Sequence, residues 1–449
     1  MKRIILIFIT IMFYLFGKAD TPAWKSKTED ANYIHRAIKE ITDVMVYDIY
    51  SPPVAARTYA YISVTAYETL RHEKEDYISL AGQLHGLQSL PEPEKGKKYS
   101  YTLAAVHALL TVGKSLVISE EKVNRFENEM MKEFKEDGIP ENVFDNSIAF
   151  GNKVASEILI WISKDNYNHT RSLGAYSVKY DSSSWKPTPP VYMKAVEPHW
   201  NQMRTFIIDS AQAFKPVKPP HFSIDTSSAF YKEAIEVLKQ GNSNTTEQRN
   251  IANFWDCNPF DVTQRGHVMY ATKKISPGGH WMNIIRLVCE KTKAGPVKSA
   301  EAYACVAVTI NDCFVACWDE KYRSVVMRPE TYINKYIDPA WRPVLQTPPF
   351  PEYVSAHSVI SAGASVILTK LFGPDFSFTD STEVEFGIPP RNFNSFYHAS
   401  SEAGISRFYG GIHYLPAVNY GLEIGKEIGK FVAKEIKTEN RKKKSYNLN

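Results

Sequence analysis

Apolar side chains recur at three- and four-residue spacing through most of this chain, the period of amphipathic helices rather than of half-buried strands. Residues 32–50 carry it and stop at the breaker Ser51-Pro52-Pro53. Residues 55–70 resume it, with Ala60, Val64 and Tyr67 on one face, and 99–117 and 147–165 predict two further helices. From about 170 to 224 the pattern dissolves among Trp185, Pro187, Pro189, Pro190 and the prolines at 216, 219 and 220, which reads as a long irregular connection. Helices are expected again over 227–240 and 246–255, where Thr245 and Gln248 form a capping box. The alanine-rich stretch 299–326 has the look of an interior bundle helix. Another helix is expected over 358–370. In 420–434, Gly421, Gly425 and Gly429 at four-residue spacing predict close packing against a neighbouring helix. No set of alternating strands is legible, so the expected class is all-α, with two helical bundles. The divisions are 1–19, 20–215 with the irregular connection, and 216–449.

Composition narrows this picture. The chain has 449 residues, 44% apolar and 23% charged, enough for several domains or one large fused core. The net charge of +4 is local: Lys2, Arg3 and Lys18 lie at one end and Arg441 to Lys444 at the other. The body is near neutral, which excludes a broad nucleic-acid surface. Lys2 and Arg3 followed by the apolar run 4–16 predict a secretory signal cleaved near Ala19, and hence export to a periplasm or beyond. No later segment approaches 18 uninterrupted apolar residues, so no transmembrane segment is expected in the mature chain. The five cysteines (257, 289, 305, 313, 317) form no disulfide framework and no zinc-like spacing; buried thiols are expected, with one disulfide open as an alternative.

Three short segments carry the candidate chemistry. Lys321 and Arg328 are two helical turns apart, and share a face if the helix persists to Pro329. Ser355 and His357 open the helix over 358–370, where free backbone N–H groups and the helix dipole favour an oxyanion. Arg407 and His413 flank Gly410-Gly411, a turn that can bring both side chains to one point, with Glu402 placed to orient Arg407. Arginine suits bidentate oxyanion contacts and imidazole suits acid–base work near neutrality.

In order and spacing the three segments, Lys321-x6-Arg328-Pro329, Ser355-x-His357 and Ser406-Arg407-x5-His413, resemble the tripartite signature of the type 2 phosphatidic acid phosphatase and vanadium-dependent haloperoxidase superfamily. The resemblance covers roughly 250–430, and Ser51-Pro52-Pro53 with Arg57, Tyr59 and Tyr61 is similar to the first half of bacterial haloperoxidases. It implies a vanadate cofactor with vanadium at +5, bound through a ring nitrogen of His413. It further implies that Lys321, Arg328, Ser355, Arg407 and the backbone at Ala356 hold the oxygens. His357 becomes the acid–base group, and Lys321 polarises the reacting oxygen. Hydrogen peroxide and a halide, iodide before bromide, would yield hypohalous acid, with a small organic acceptor as an optional further partner. The alternative within the same superfamily is an exported acid phosphatase using His413 as nucleophile, because vanadate mimics the phosphoryl-transfer transition state.

Trp318 and Phe350 match aromatic positions of chloroperoxidase-like members, where algal bromoperoxidases have a histidine for Phe350, and are expected to line the pocket. The long exported chain is similar to the iodide-oxidising kind from marine flavobacteria. Two departures stand out. Ala356 replaces the usual glycine, and Ala417 replaces the aspartate usually four residues after the last histidine, which argues against a phosphohistidine mechanism. Asp256 or Asp261 is a candidate for orienting His357, and Ser276-Pro277-Gly278-Gly279-His280-Trp281 for lining the pocket entrance. His267 and His280 show no ligand pattern and stay outside the predicted site.

Overall fold

The computed structural model describes residues 22–265 and 268–440. The 1–19 signal reading, the 441–444 basic run and His267 therefore lie outside the described residues. Helix α1 (Ala23–Thr28) leads into α2 (Asn32–Tyr47), α3 (Pro52–Leu70), α4 (Tyr101–Lys114), α5 (Glu120–Glu136), α6 (Glu141–Ile162) and α7 (Tyr167–Ser172). After the irregular connection come α8 (Ala229–Ser243), α9 (Thr246–Phe254), the hairpin β1 (Val262–Arg265) and β2 (Val268–Ala271), and α10 (Pro277–Thr292). The last part holds α11 (Pro296–Ser324), α12 (Pro329–Tyr336) and α13 (Ala356–Phe372). The hairpin β3 (Phe378–Asp380) and β4 (Arg391–Phe393) precedes α14 (Phe396–Tyr409) and α15 (Leu415–Glu435). The all-α expectation holds; the two antiparallel hairpins are too short to have left an alternating pattern.

Helix α11 is the spine. It is buried from Ser299 through Lys321, because alanines and apolar residues occupy every face. It packs against α3 of the first half and α13 of the second, so one continuous core runs through both halves. By length and hydropathy α11 is the one described helix that could cross a membrane, but its apolar stretch is wholly enclosed by protein. The five cysteines are all buried, and the optional disulfide is not formed.

The predicted helices appear with ends displaced by a few residues, and the Thr245–Gln248 capping box is present. Helix α5 escaped the pattern reading because its apolar stripe is thin: only Val123, Glu127, Met130 and Phe134 are buried in a polar sequence. The long connection is anchored rather than loose. Asp312 of α11 accepts the N–H groups of Phe206, Ile207 and Ile208 at 2.7, 2.7 and 3.0 Å, and Trp185 and Trp200 are fully buried. Accepting three N–H groups at once fixes a backbone that has no ladder of its own.

The expectation that one helix carries both Lys321 and Arg328 fails. Helix α11 ends at Ser324, Val325 turns through the left-handed region (φ 51°), and Arg328 becomes the N-cap residue of α12. Pro329 therefore starts a helix instead of ending one, at the first position, where its missing N–H costs nothing.

The glycine stripe of α15 lies directly on α13. A methyl group at Gly425 would fall 2.1 Å from the Val359 carbonyl oxygen, and at Gly421 or Gly429 it would fall 2.8 Å from a side-chain carbon of α13. Gly425→Ala is expected to destabilise the protein by about 3 kcal/mol through overpacking. Gly174→Ala, which meets nothing within 4 Å, should shift the denaturant midpoint little; equal midpoints for the two variants would contradict this packing.

Candidate active site

Four chain segments converge at the N-terminal end of α13. Ser355 caps the helix, its Oγ accepting from Ser358 N at 3.4 Å, while its own N–H donates to Ala417 O at 3.1 Å and ties it to the first turn of α15. Ala356 and His357 occupy the first two helical positions, whose backbone N–H groups have no partner within the helix. His357 is held by the Trp255 backbone, and its Nε2 is buried without a hydrogen-bond partner. Burial first, then Arg407, pushes its pKa well below the usual imidazole range.

Arg407 stands in the last turn of α14. Gly410 and Gly411 (φ +75°) then reverse the chain, a conformation glycine adopts without strain, and deliver His413 back to the same point. Arg407 Nη1 donates to Trp255 O at 2.8 Å, and its Nε is buried and unpartnered. Glu402 does not orient it: that carboxylate is taken by Arg391 and by the Trp255 indole N–H.

Arg328 reaches the site from the cap of α12. Its Nε donates to Phe350 O (2.9 Å), its Nη1 to Ile412 O (2.8 Å) and to His413 Nε2 (3.0 Å), and its Nη2 has no partner. Lys321, fully buried, spends its three N–H groups on the carbonyls of Pro351, Glu352 and Val354 at 2.9, 2.9 and 2.6 Å. Burial pushes the ammonium down to about 7, and three carbonyl acceptors, which need all three protons, act against that. Trp318 and Phe350 pack at 5.0 Å between ring centres, with Lys321 Nζ 5.2 Å and Arg328 Cζ 5.1 Å from the Phe350 ring.

These groups border a compact cavity of about 30 Å³, sized for a small inorganic ion. Its wall includes Trp318, Phe350, Ala356, His357, Arg407 and His413, with Cys257 opposite. Lys321, Arg328 and Ser355 sit just behind that wall. A larger cavity of about 560 Å³, lined by Ser51, Val54 and Phe260, lies toward the surface beside the neighbouring Pro52 and Pro259 of the inner one.

Two sequence expectations need correction. Neither Asp256 nor Asp261 orients His357, because Lys274 draws both carboxylates to itself; Asp256 lies beside Arg407 instead, at 3.9 Å. Of the segment 276–281 only Pro277 reaches the cavity, while His280 and Trp281 are buried behind it.

One residue was missed altogether. Glu352 is fully buried, and its Oε1 accepts from His413 Nδ1 at 2.7 Å and from Tyr414 N at 3.1 Å. Because Nε2 of the same ring accepts from Arg328, Nδ1 carries the proton and the Nε2 lone pair faces the site. Ala417, at the place of the usual aspartate, lines a second cavity together with Glu352. Glu352 supplies to His413 the carboxylate that the resemblance leads one to expect at 417. The sequence showed that 417 carries none, but not that 352 does.

The polar set fits vanadate. Arg328 Nη2 and Arg407 Nε are buried donors without partners, His357 Nε2 is a buried acceptor without one, and burial depresses the pKa of Arg328 to about 10 and lowers that of Arg407. Cations pushed toward neutrality in a closed site are compensated by a bound oxyanion.

Residues 336–441 match the VCPO second helical-bundle domain. The crystal structure described as that of the first bacterial vanadium-dependent iodoperoxidase is similar over 92% of this chain and 99% of its own, with 45% identity and a TM-score of 0.87. Holo and apo structures of a bacterial vanadium-dependent chloroperoxidase share the fold with TM-scores of 0.63 each, at 16% and 15% identity. They cover 86% of this chain, and 92% and 94% of their own. No curated protein sequence matches the chain.

Fold and cavity together define a helical enzyme built around a small oxyanion. With 45% identity to a solved relative along nearly all of both chains, the protein belongs to the vanadium haloperoxidase family, whose cofactor is vanadate and whose substrates are a peroxide and a halide.

Glu352→Gln is expected to weaken vanadate binding roughly 10- to 100-fold, as loss of a group that orients a metal ligand does; titration of the apo protein with vanadate measures it. Burial raises the Glu352 pKa from 4.5 to about 7. The native state thus keeps a proton that the unfolded chain has released across that window, so this group makes apo stability fall as pH rises from 4.5 to 7. Denaturant midpoints across that range should decline less in Glu352→Gln than in the parent.

Proposed function

We propose that the protein oxidises iodide, and bromide less readily, with hydrogen peroxide to hypohalous acid, and that small organic acceptors are halogenated by the product. The observation that carries the reading is the set of buried, unpartnered donors around the Nε2 lone pair of His413. The 45% identity to a protein described as an iodoperoxidase supports iodide. Iodide is also the least demanding halide to oxidise.

In this proposal His413 Nε2 is the vanadium ligand. Arg328, Arg407, Ser355 Oγ and the Ala356 N–H would hold the oxygens, and Lys321, whose three N–H groups are spent on carbonyls, would act on them through its charge from behind the wall. Bound vanadate supplies Lewis acidity at a fixed +5 state. The chain supplies the rest. Glu352 keeps the proton on Nδ1, and burial keeps the His413 pKa well below the ordinary value, so the ring is neutral as a ligand must be. His357 is likewise neutral, ready to take a proton from peroxide at Nε2 and return it to the leaving oxygen. Trp318 and Phe350 exclude water from this exchange. The bundle 216–449 carries the oxygen-holding groups and 20–215 lends Pro52 to the wall. Export after cleavage near Ala19 belongs to the same proposal.

A second reading has one specific observation in its favour. With Glu352 on His413, the loss of the carboxylate at 417 no longer argues against a phosphohistidine, so hydrolysis of phosphate esters by the vanadate-free protein is a real alternative.

Protein lacking residues 1–19, loaded with orthovanadate, should produce triiodide from iodide and peroxide. His413→Ala should abolish this, and His357→Ala should lower turnover by about 10²- to 10⁴-fold. Hydrolysis of p-nitrophenyl phosphate by the unloaded protein, blocked by vanadate and without any peroxidase turnover, would transfer the assignment to the phosphatase reading.

A further inference from the structure

Behind the Cys257 wall of the cavity, three chain segments bring together a thiol, an imidazole and a carboxylate that the oxyanion site does not use. Cys257 follows the end of α9, His280 lies in the first turn of α10, and Glu383 lies in the turn after β3. All three are buried. The separations are 3.4 Å from Cys257 Sγ to His280 Nδ1, 2.9 Å from His280 Nδ1 to Glu383 Oε1, and 3.9 Å from Cys257 Sγ to Glu383 Oε1. Zinc bonds of about 2.3 Å to sulfur and about 2.0–2.2 Å to nitrogen and oxygen give tetrahedral edges of roughly 3.3–3.6 Å. The triangle is already within about half an ångström of that shape.

The surroundings are those of a metal-bound imidazole. His280 Nε2 contacts Asp380 Oδ2 at 2.7 Å, and Asp380 Oδ1 is itself fixed by Thr382 N and Oγ1 at 2.9 and 2.6 Å. A carboxylate on the second ring nitrogen, itself held by hydrogen bonds, sets the orientation and basicity of a ligating histidine. With both ring nitrogens facing carboxylates, His280 without a metal is held as an imidazolium between two anions. Among the described residues neither Asp380 nor Glu383 pairs with a lysine or arginine. A divalent cation on Nδ1 would exchange for the imidazolium proton and the thiol proton at unchanged net charge, and let the imidazole be neutral.

We propose that Cys257, His280 and Glu383 bind one Zn²⁺, with water or the second Glu383 oxygen completing the coordination. Binding releases the Cys257 thiol proton and one imidazolium proton, and no redox change occurs. The ion positions the oxyanion cavity without touching it. The Trp255 ring stacks on His280 at 4.5 Å, and the Trp255 carbonyl accepts from Arg407 Nη1. Clamping Cys257 and His280 therefore fixes the strand of chain that holds Arg407 and His357. This inference stands independently of which halide or ester the neighbouring site consumes.

The test uses the full chain purified without chelator, dialysed against Zn²⁺ and then against metal-free buffer, with metal counted by mass spectrometry. One zinc per chain is expected, and Cys257→Ala and Glu383→Gln should each lose at least nine-tenths of it. Replacement by Co²⁺ should give a thiolate-to-cobalt charge-transfer band that Cys257→Ala lacks while keeping parental far-ultraviolet circular dichroism. Should a variant not fold, the cobalt band of the parent protein decides the question. Absence of that band, or zinc retained equally by folded Cys257→Ala, would overturn the proposal.

Discussion

Three cations, Lys321, Arg328 and Arg407, are enclosed around one small cavity, and the rest of the structure follows from holding them there. Taking each such ion out of water costs several kcal/mol even after relaxation, so the protein must position them with fixed hydrogen bonds. The acceptors it uses are mostly backbone carbonyls: Pro351, Glu352 and Val354 for Lys321, Phe350 and Ile412 for Arg328, Trp255 for Arg407. Carbonyls orient a cation without neutralising it. What they leave over, Arg328 Nη2 and Arg407 Nε, is the demand that an oxyanion meets.

The loop 350–355 is the point where these demands meet. It supplies the carbonyls for Lys321 and Arg328, the ring of Phe350, the carboxylate of Glu352 and the cap residue Ser355. Its backbone is in turn tied to the α11–α12 junction through Glu352 N to Val326 O and to α15 through Ser355 N to Ala417 O. Helix α15 can come this near only because glycines face α13, so helix packing far from the chemistry sets the position of the site.

The signature that this chain resembles has a carboxylate where Ala417 stands, and here a carboxylate reaches His413 from position 352. The imidazole of His413 needs an acceptor on Nδ1 so that Nε2 remains a lone pair. Any chain segment that brings a carboxylate to 2.7 Å meets that need. Ala417 and Glu352 line one and the same cavity.

The sequence by itself determined the helical class, because periodicity registers burial along a helix, and it singled out Lys321, Arg328, Ser355, His357, Arg407 and His413, because their order and spacing survive in one dimension. Helix α5 went unread although its four buried positions keep helical spacing, because charged and polar residues fill the rest of the run. Only the tertiary structure decided the partners. Arg328 belongs to a new helix after a left-handed turn, Asp256 and Asp261 answer to Lys274 and not to His357, and Glu352 completes His413 from 61 residues away. The cluster of Cys257, His280 and Glu383 is drawn from three segments with no common spacing. Hydrogen bonds and ion pairs are decided by distances of a few ångströms, and separation along the chain carries no record of them.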